Sequence, residues 1–149
     1  MEKLMEKQLY GYLQFEQQLL QEMIRLADKQ QAALVNYQIS ELSEITSFQN
    51  ALIVNIRNAE EKRISLLMQW LGISRKEAAE LKLSTLEEKI EDKEVCTEIK
   101  KMRKELRTMI DQLQNMNSTN RLLTNRARTN VKEMMDYITN GKAICNMEV

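Results

Sequence analysis

Proline is absent from these 149 residues, and glycine occurs only at Gly11, Gly72 and Gly141. A β-rich chain needs a turn residue every ten or so positions, so this shortage excludes a sandwich or a barrel. Long helices with few connections remain. Histidine is absent as well, which removes the commonest general base, the commonest metal ligand and the side chain that titrates near neutrality. A di-iron bundle, which takes Glu-x-x-His pairs, is excluded with it. The only two cysteines, Cys96 and Cys145, belong to no Cys-x-x-Cys spacing. They read as free thiols of a reducing compartment with a structural or incidental role. No histidine stands by to activate either thiol, which counts against a thiol enzyme. Glycine-rich phosphate loops and carboxylates paired for acid–base work are missing too. No catalytic, cofactor-binding or metal-ligating residue is expected.

Surplus charge is also lacking, since 22 basic residues balance 22 acidic ones. A reader of phosphate backbones needs a basic excess on one face, so nucleic acid is not an expected partner. The charged runs Glu60-Glu61-Lys62-Arg63 and Lys100–Glu105 read as solvated helix faces with local ion pairing. No apolar run is long enough to cross a bilayer. The longest, around Ile64–Ile73, is interrupted by Ser65, Gln69 and Gly72. The opening MEKLMEKQLYGYLQFEQ has no apolar signal core. These features imply a cytoplasmic protein without direct membrane insertion.

What the chain does contain is helical periodicity. Leu9, Leu13, Leu20, Met23, Ala27 and Leu34 recur at three- and four-residue steps, widened by Leu19 and Leu26, and predict a helix over 3–35. Asn36 is placed to cap a second helix over 37–71, whose stripe is Ile39, Leu42, Ile45, Leu52, Ile56, Ala59, Leu66 and Trp70. Gly72 stands where a left-handed residue ends that helix. Two capping boxes follow, Ser74-Arg75-Lys76-Glu77 and Ser84-Thr85-Leu86-Glu87, which predict short connector helices over 75–81 and 85–91. The longest helix is expected over 92–139, stopped by Asn140-Gly141, with residues 142–149 as a frayed tail. The reading is all-α: one domain over 1–149, an elongated antiparallel bundle of three long helices with coiled-coil-like packing.

The last helix carries six heptads in register. One core position reads Ile99, Leu106, Leu113, Asn120, Ala127, Met134, and the other Val95, Met102, Met109, Met116, Leu123, Asn130, Tyr137. Large apolar residues fill both positions up to Met116; beyond it Asn120, Ala127 and Asn130 intervene, with Asn117 and Thr124 beside them. Two accounts fit this change. Either the polar residues fix register as the helix leaves the bundle, or the stripe is left for a partner helix to complete. Methionines at 102, 109, 116, 134 and 135 suit both, as gap-fillers or as an adaptable surface. A self-associating coiled-coil scaffold or adaptor stays open on the same pattern, and so does a homodimer.

Three stretches stand out together: Ala59-Glu60-Glu61-Lys62-Arg63-Ile64-Ser65-Leu66-Leu67 before Leu71-Gly72, then Leu83-Ser84-Thr85-Leu86, then Asn117-Ser118-Thr119-Asn120-Arg121-Leu122-Leu123. On these stretches the whole chain resembles the FlgN family of flagellar type III export chaperones. The resemblance runs from about Leu4 to Ile138, and Arg121 departs from the glycine that many members carry. The resemblance implies a non-enzymatic chaperone that binds the amphipathic terminal helices of hook–filament junction (hook-associated) proteins. It would keep them from associating prematurely and deliver them to the flagellar export machinery. It also implies a client-binding face in the C-terminal helix, on Asn117, Asn120, Leu123, Ala127, Val131, Met134 and Ile138.

Overall fold

A computed structural model describes the backbone of residues 2–148 and the side chains of residues 2–140. Five helices and no strand occur among the described residues: α1 Glu2–Val35, α2 Ile39–Leu71, α3 Arg75–Glu80, α4 Leu83–Lys89 and α5 Lys93–Glu148. α1 is the central element. It packs along α2 on one flank and α5 on another, while the backbones of α2 and α5 stay apart from each other.

Side-chain pairings fix the directions. Glu16 meets Arg63 and Gln30 meets Gln49, so α1 and α2 are antiparallel. Tyr10 meets Glu98, Gln17 meets Glu105 and Asn130 meets Tyr37, so α1 and α5 run parallel. The path is therefore up, down and up. The connector α3–α4 brings the chain back to the end where it began, and the heptad of α5 zips onto α1 as a parallel seam. Leu9, Leu67, Leu86 and Ile99 are sealed from solvent where α1, α2, α4 and α5 converge.

The helix ends show which local signals held. Gly72 takes a left-handed conformation at φ 63° and donates its N–H to the Met68 carbonyl, as a C-terminal glycine should. Ser74 caps α3 by accepting the Glu77 N–H at 3.2 Å. The second capping box does not form. α4 opens at Leu83 after Lys82, so Ser84 lies inside the helix, and Glu87 is buried and paired with Arg103 of α5. Asn36 does not cap α2 either, because α1 closes first. Tyr37 adopts φ 54°, its N–H bonds the Leu34 carbonyl, and the Gln38 N–H reaches back to the Ala33 carbonyl. That is the bond pattern of a Schellman motif, here with tyrosine in the place usual for glycine. α2 then begins at Ile39, which is exposed rather than part of the stripe.

The start of α5 is held from two sides. Asp92 accepts the N–H groups of Glu94 and Val95 through Oδ1. Glu6 of α1, only 1% exposed, accepts the N–H of Glu91 at 2.8 Å and of Asp92 at 3.2 Å. A carboxylate at a helix N-terminus satisfies amides that lack helical partners and meets the positive end of the dipole. At the other end, α5 does not stop at Asn140-Gly141 but continues as helix to Glu148. Glycine within a helix costs about 1 kcal/mol relative to alanine. It ends one only where the following chain folds back to satisfy the last carbonyls, as it does at Gly72.

Candidate partner-binding site

The geometry of the site follows from two lengths. α1 has 34 residues and α5 has 56, so at ~1.5 Å per residue they extend roughly 51 Å and 84 Å. They start together, because Glu6 holds Glu91 and Asp92, the two residues that lead into α5. α1 must therefore end first. Asn130 passes its end, with Nδ2 donating to the Tyr37 hydroxyl at 3.4 Å. From Val131 to Asn140, roughly 15 Å of helix, α5 has no α1 beneath it.

Burial along the heptad records this. Val95, Ile99 and Met102 are buried, and Leu106, Met109, Leu113, Met116, Leu123 and Ala127 are half-buried. Every described side chain from Arg128 to Asn140 is exposed. Val131 is 57% exposed, Met134 63% and Ile138 47%, although they stand on the same stripe as Leu123 and Ala127. Met135 and Tyr137 are exposed beside them. One apolar stripe is thus covered by α1 over its first part and bare over its last.

The candidate residues of the sequence reading therefore fall into four settings. Val131, Met134 and Ile138 lie together on the bare overhang. Leu123 and Ala127 are half-buried at the end of the α1 seam. Asn120 is buried inside the seam at 3% exposed, where Nδ2 donates to the Ala27 carbonyl at 2.9 Å and to Gln30 Oε1 at 3.3 Å. Gln30 Oε1 also accepts from Gln49 of α2 at 3.0 Å. A chain of amides thereby crosses all three long helices. Asn117 is exposed at the mouth of a groove.

That groove runs between α2 and α5 over Met23 and Gln30 of α1, with a volume of about 490 Å³. Gln49, Asn50 and Ile53 form the α2 wall, and Asn117, Asn120, Arg121, Thr124, Asn125 and Arg128 the α5 wall. Gln49, Asn50, Arg121 and Arg128 were not among the site residues expected from the sequence, where Arg121 stood only as a departure from the family's glycine. A signal for the arginines existed: from Gln112 to Lys132 there is no acidic residue, while Arg121, Arg126, Arg128 and Lys132 are all basic. Nothing in the period of α2 marks Gln49 and Asn50, which matter only because α2 and α5 stand apart.

The titratable groups near the three-helix contact are structural. Glu16 and Arg63 form a largely buried ion pair at 3.1 Å between α1 and α2. Burial pushes the Glu16 carboxyl above its ordinary value, and Arg63 pulls it part of the way back. Cys96 is a half-buried free thiol whose Sγ donates to the Glu87 carbonyl at 3.5 Å. The Cys145 side chain lies outside the described residues. Among the described residues no group of three or more His, Cys, Asp or Glu is placed to hold a metal ion, and no helix is long and apolar enough to cross a membrane.

These features define a class: an all-helical protein whose longest helix outruns its neighbour and keeps an apolar stripe uncovered. The family described as FlgN protein matches residues 1–147. The chain belongs to the FlgN family of flagellar export chaperones. No curated protein and no solved structure matches it.

Proposed function

We propose that this protein is a cytosolic chaperone for hook–filament junction proteins. It holds an amphipathic terminal helix of the client against the overhang of α5 until the flagellar type III export apparatus takes the client. The observation that carries this reading is the continuity of the α5 stripe. Leu123 and Ala127 pack at the end of α1, and Val131, Met134 and Ile138 continue the same face with nothing beneath them. An apolar face of this kind is completed by another amphipathic helix, with anchors at three- and four-residue steps. A disordered client segment supplies one, and binding masks the apolar side that would otherwise self-associate.

The affinity that follows is moderate. Each apolar side chain fully buried contributes about 1.5–3 kcal/mol, and ordering a disordered segment costs about 2–5 kcal/mol. A handful of anchors leaves binding near the micromolar level, about −8 kcal/mol. That suits a client that must be released.

Calorimetric titration of the full chain with C-terminal segments of hook–filament junction proteins tests the reading. Saturable one-to-one binding is expected. Val131→Asp with Met134→Asp should abolish it and leave helix content and melting temperature unchanged, because both side chains are exposed. Absence of binding to any junction segment would overturn the reading. A dimer that resists dilution and ignores these segments would assign the stripe to self-pairing instead.

A further inference from the structure

The groove between α2 and α5 differs from the overhang in its mostly polar, basic lining. Its walls carry amides, Gln49, Asn50, Asn117 and Asn120, and its charged groups are Arg121 and Arg128, with no acidic residue lining it. Neither arginine has an ion-pair partner among the described residues, although Arg25, Arg63, Arg75 and Arg103 each have one. Two unpaired guanidinium groups on one helix face create a positive strip in a chain whose net charge is zero.

Among the described residues, Asn120 Oδ1 is the buried side-chain oxygen or nitrogen without a hydrogen-bond partner; it lies sealed in the α1–α5 seam behind the groove wall and takes no part in the groove's recognition chemistry.

We propose that this groove binds an α-helical segment of a protein partner bearing carboxylates seven residues apart. Arg121 and Arg128 stand seven residues apart on α5, ~10.5 Å along its axis. Two acidic side chains at the same spacing on a helix lying along α5 meet both guanidinium groups, each able to take a carboxylate through paired N–H donors. The amides of Gln49, Asn50 and Asn117 receive the polar flank of that helix. The occupant is a helix because the backbones of α2 and α5 stay apart on either side of α1, so a fourth helix along the groove closes a bundle. Nucleic acid is a poor fit, since the groove presents no aromatic side chain for base stacking and only two cations. The identity of the partner as a secretion client rests on the proposed function; the groove's chemistry does not.

The test uses the full chain, isotope-labelled, and a synthetic helical peptide with glutamates at positions i and i+7. The arginine Nε–H and side-chain amide resonances of Arg121, Arg128, Asn50 and Asn117 should shift saturably. The pair Arg121→Gln and Arg128→Gln should weaken binding at least tenfold. The pair Arg126→Gln and Lys132→Gln, which removes the same charge outside the groove, should change it less than twofold. All four positions are exposed, and unchanged circular dichroism checks that the fold is kept. Equal weakening by both pairs would overturn the proposal in favour of a diffuse field. Shifts confined to Val131–Ile138, or no saturable binding, would overturn it as well. A junction-protein segment that binds and loses affinity in Val131→Asp with Met134→Asp, but not in the arginine pair, leaves the chaperone reading standing and removes the groove. Peptide binding at the groove without any junction-segment binding does the reverse.

Discussion

Asn120 of α5 donates its Nδ2 hydrogen to the main-chain carbonyl of Ala27 in α1, 2.9 Å away and shielded from water. The contact ties α5 to α1 at one axial position of the parallel seam. A buried asparagine at a core position fixes coiled-coil register at a cost in stability. Asn120→Leu removes the unpaired Oδ1 and adds apolar surface to the seam, while the Ala27 carbonyl keeps its own helical partner. The substitution should raise stability by about 1 kcal/mol, read as a higher melting temperature. A lower melting temperature would show that the amide bonds outweigh the stranded oxygen.

Glu6 is the second anchor of register, accepting the backbone amides of Glu91 and Asp92, the two residues that lead into α5. Glu6→Gln sets an NH₂ group against one of those N–H donors and removes the negative charge from the helix N-terminus. The expected loss is about 2 kcal/mol in denaturant titration. Glu2→Gln, a change of the same kind at an exposed position, should stay within about 0.5 kcal/mol.

Tyr37 holds a left-handed conformation that costs a non-glycine residue about 1–2 kcal/mol. Tyr37→Gly should stabilise the α1–α2 turn by up to about 1 kcal/mol. The gain is partly offset by the hydroxyl contact with Asn130 and by the greater freedom of glycine in the unfolded chain. The same change releases α5 at the point where it leaves α1, so amide exchange should quicken beyond Asn130 while the turn itself is more protected.

The Glu16 carboxyl gives a pH signature opposite to that of most ion-paired acids. Its folded pKa is raised, first by burial, so the folded state holds this proton more tightly than the unfolded chain. The contribution to stability is complete below the unfolded value near 4.5. It is lost as pH rises through the folded value. Glu16→Gln should abolish that component of the pH dependence. Denaturation midpoints measured from pH 4 to pH 7 will therefore fall less steeply in the variant than in the parent chain.

Helical period is a local property, so it reports itself. The stripes of α1 and α2, the stop at Gly72 and the heptad of α5 were legible because a 3.6-residue repeat of apolar side chains has one low-energy local conformation. The second capping box misled, since Ser84-Thr85-Leu86-Glu87 has the right spacing, but Glu87 was claimed by Arg103. Asn140-Gly141 misled for the complementary reason, as glycine permits a stop without requiring one.

The sequence by itself determined an all-helical chain, the lengths of α1 and α2 to within a turn, and a heptad stripe that turns polar after Met116. Only the tertiary structure decided what covers that stripe. An apolar position has the same spacing whether a neighbour lies on it or not, so Ala127 and Val131 look alike in the sequence. Their difference comes from axial stagger: Glu6 and the α3–α4 connector set α5 level with the start of α1, and α1 is the shorter helix. The same placement made Asn120 an interior amide and left Arg121 and Arg128 facing an open groove. Those outcomes belong to the packing of elements far apart in the chain, where no local pattern reaches.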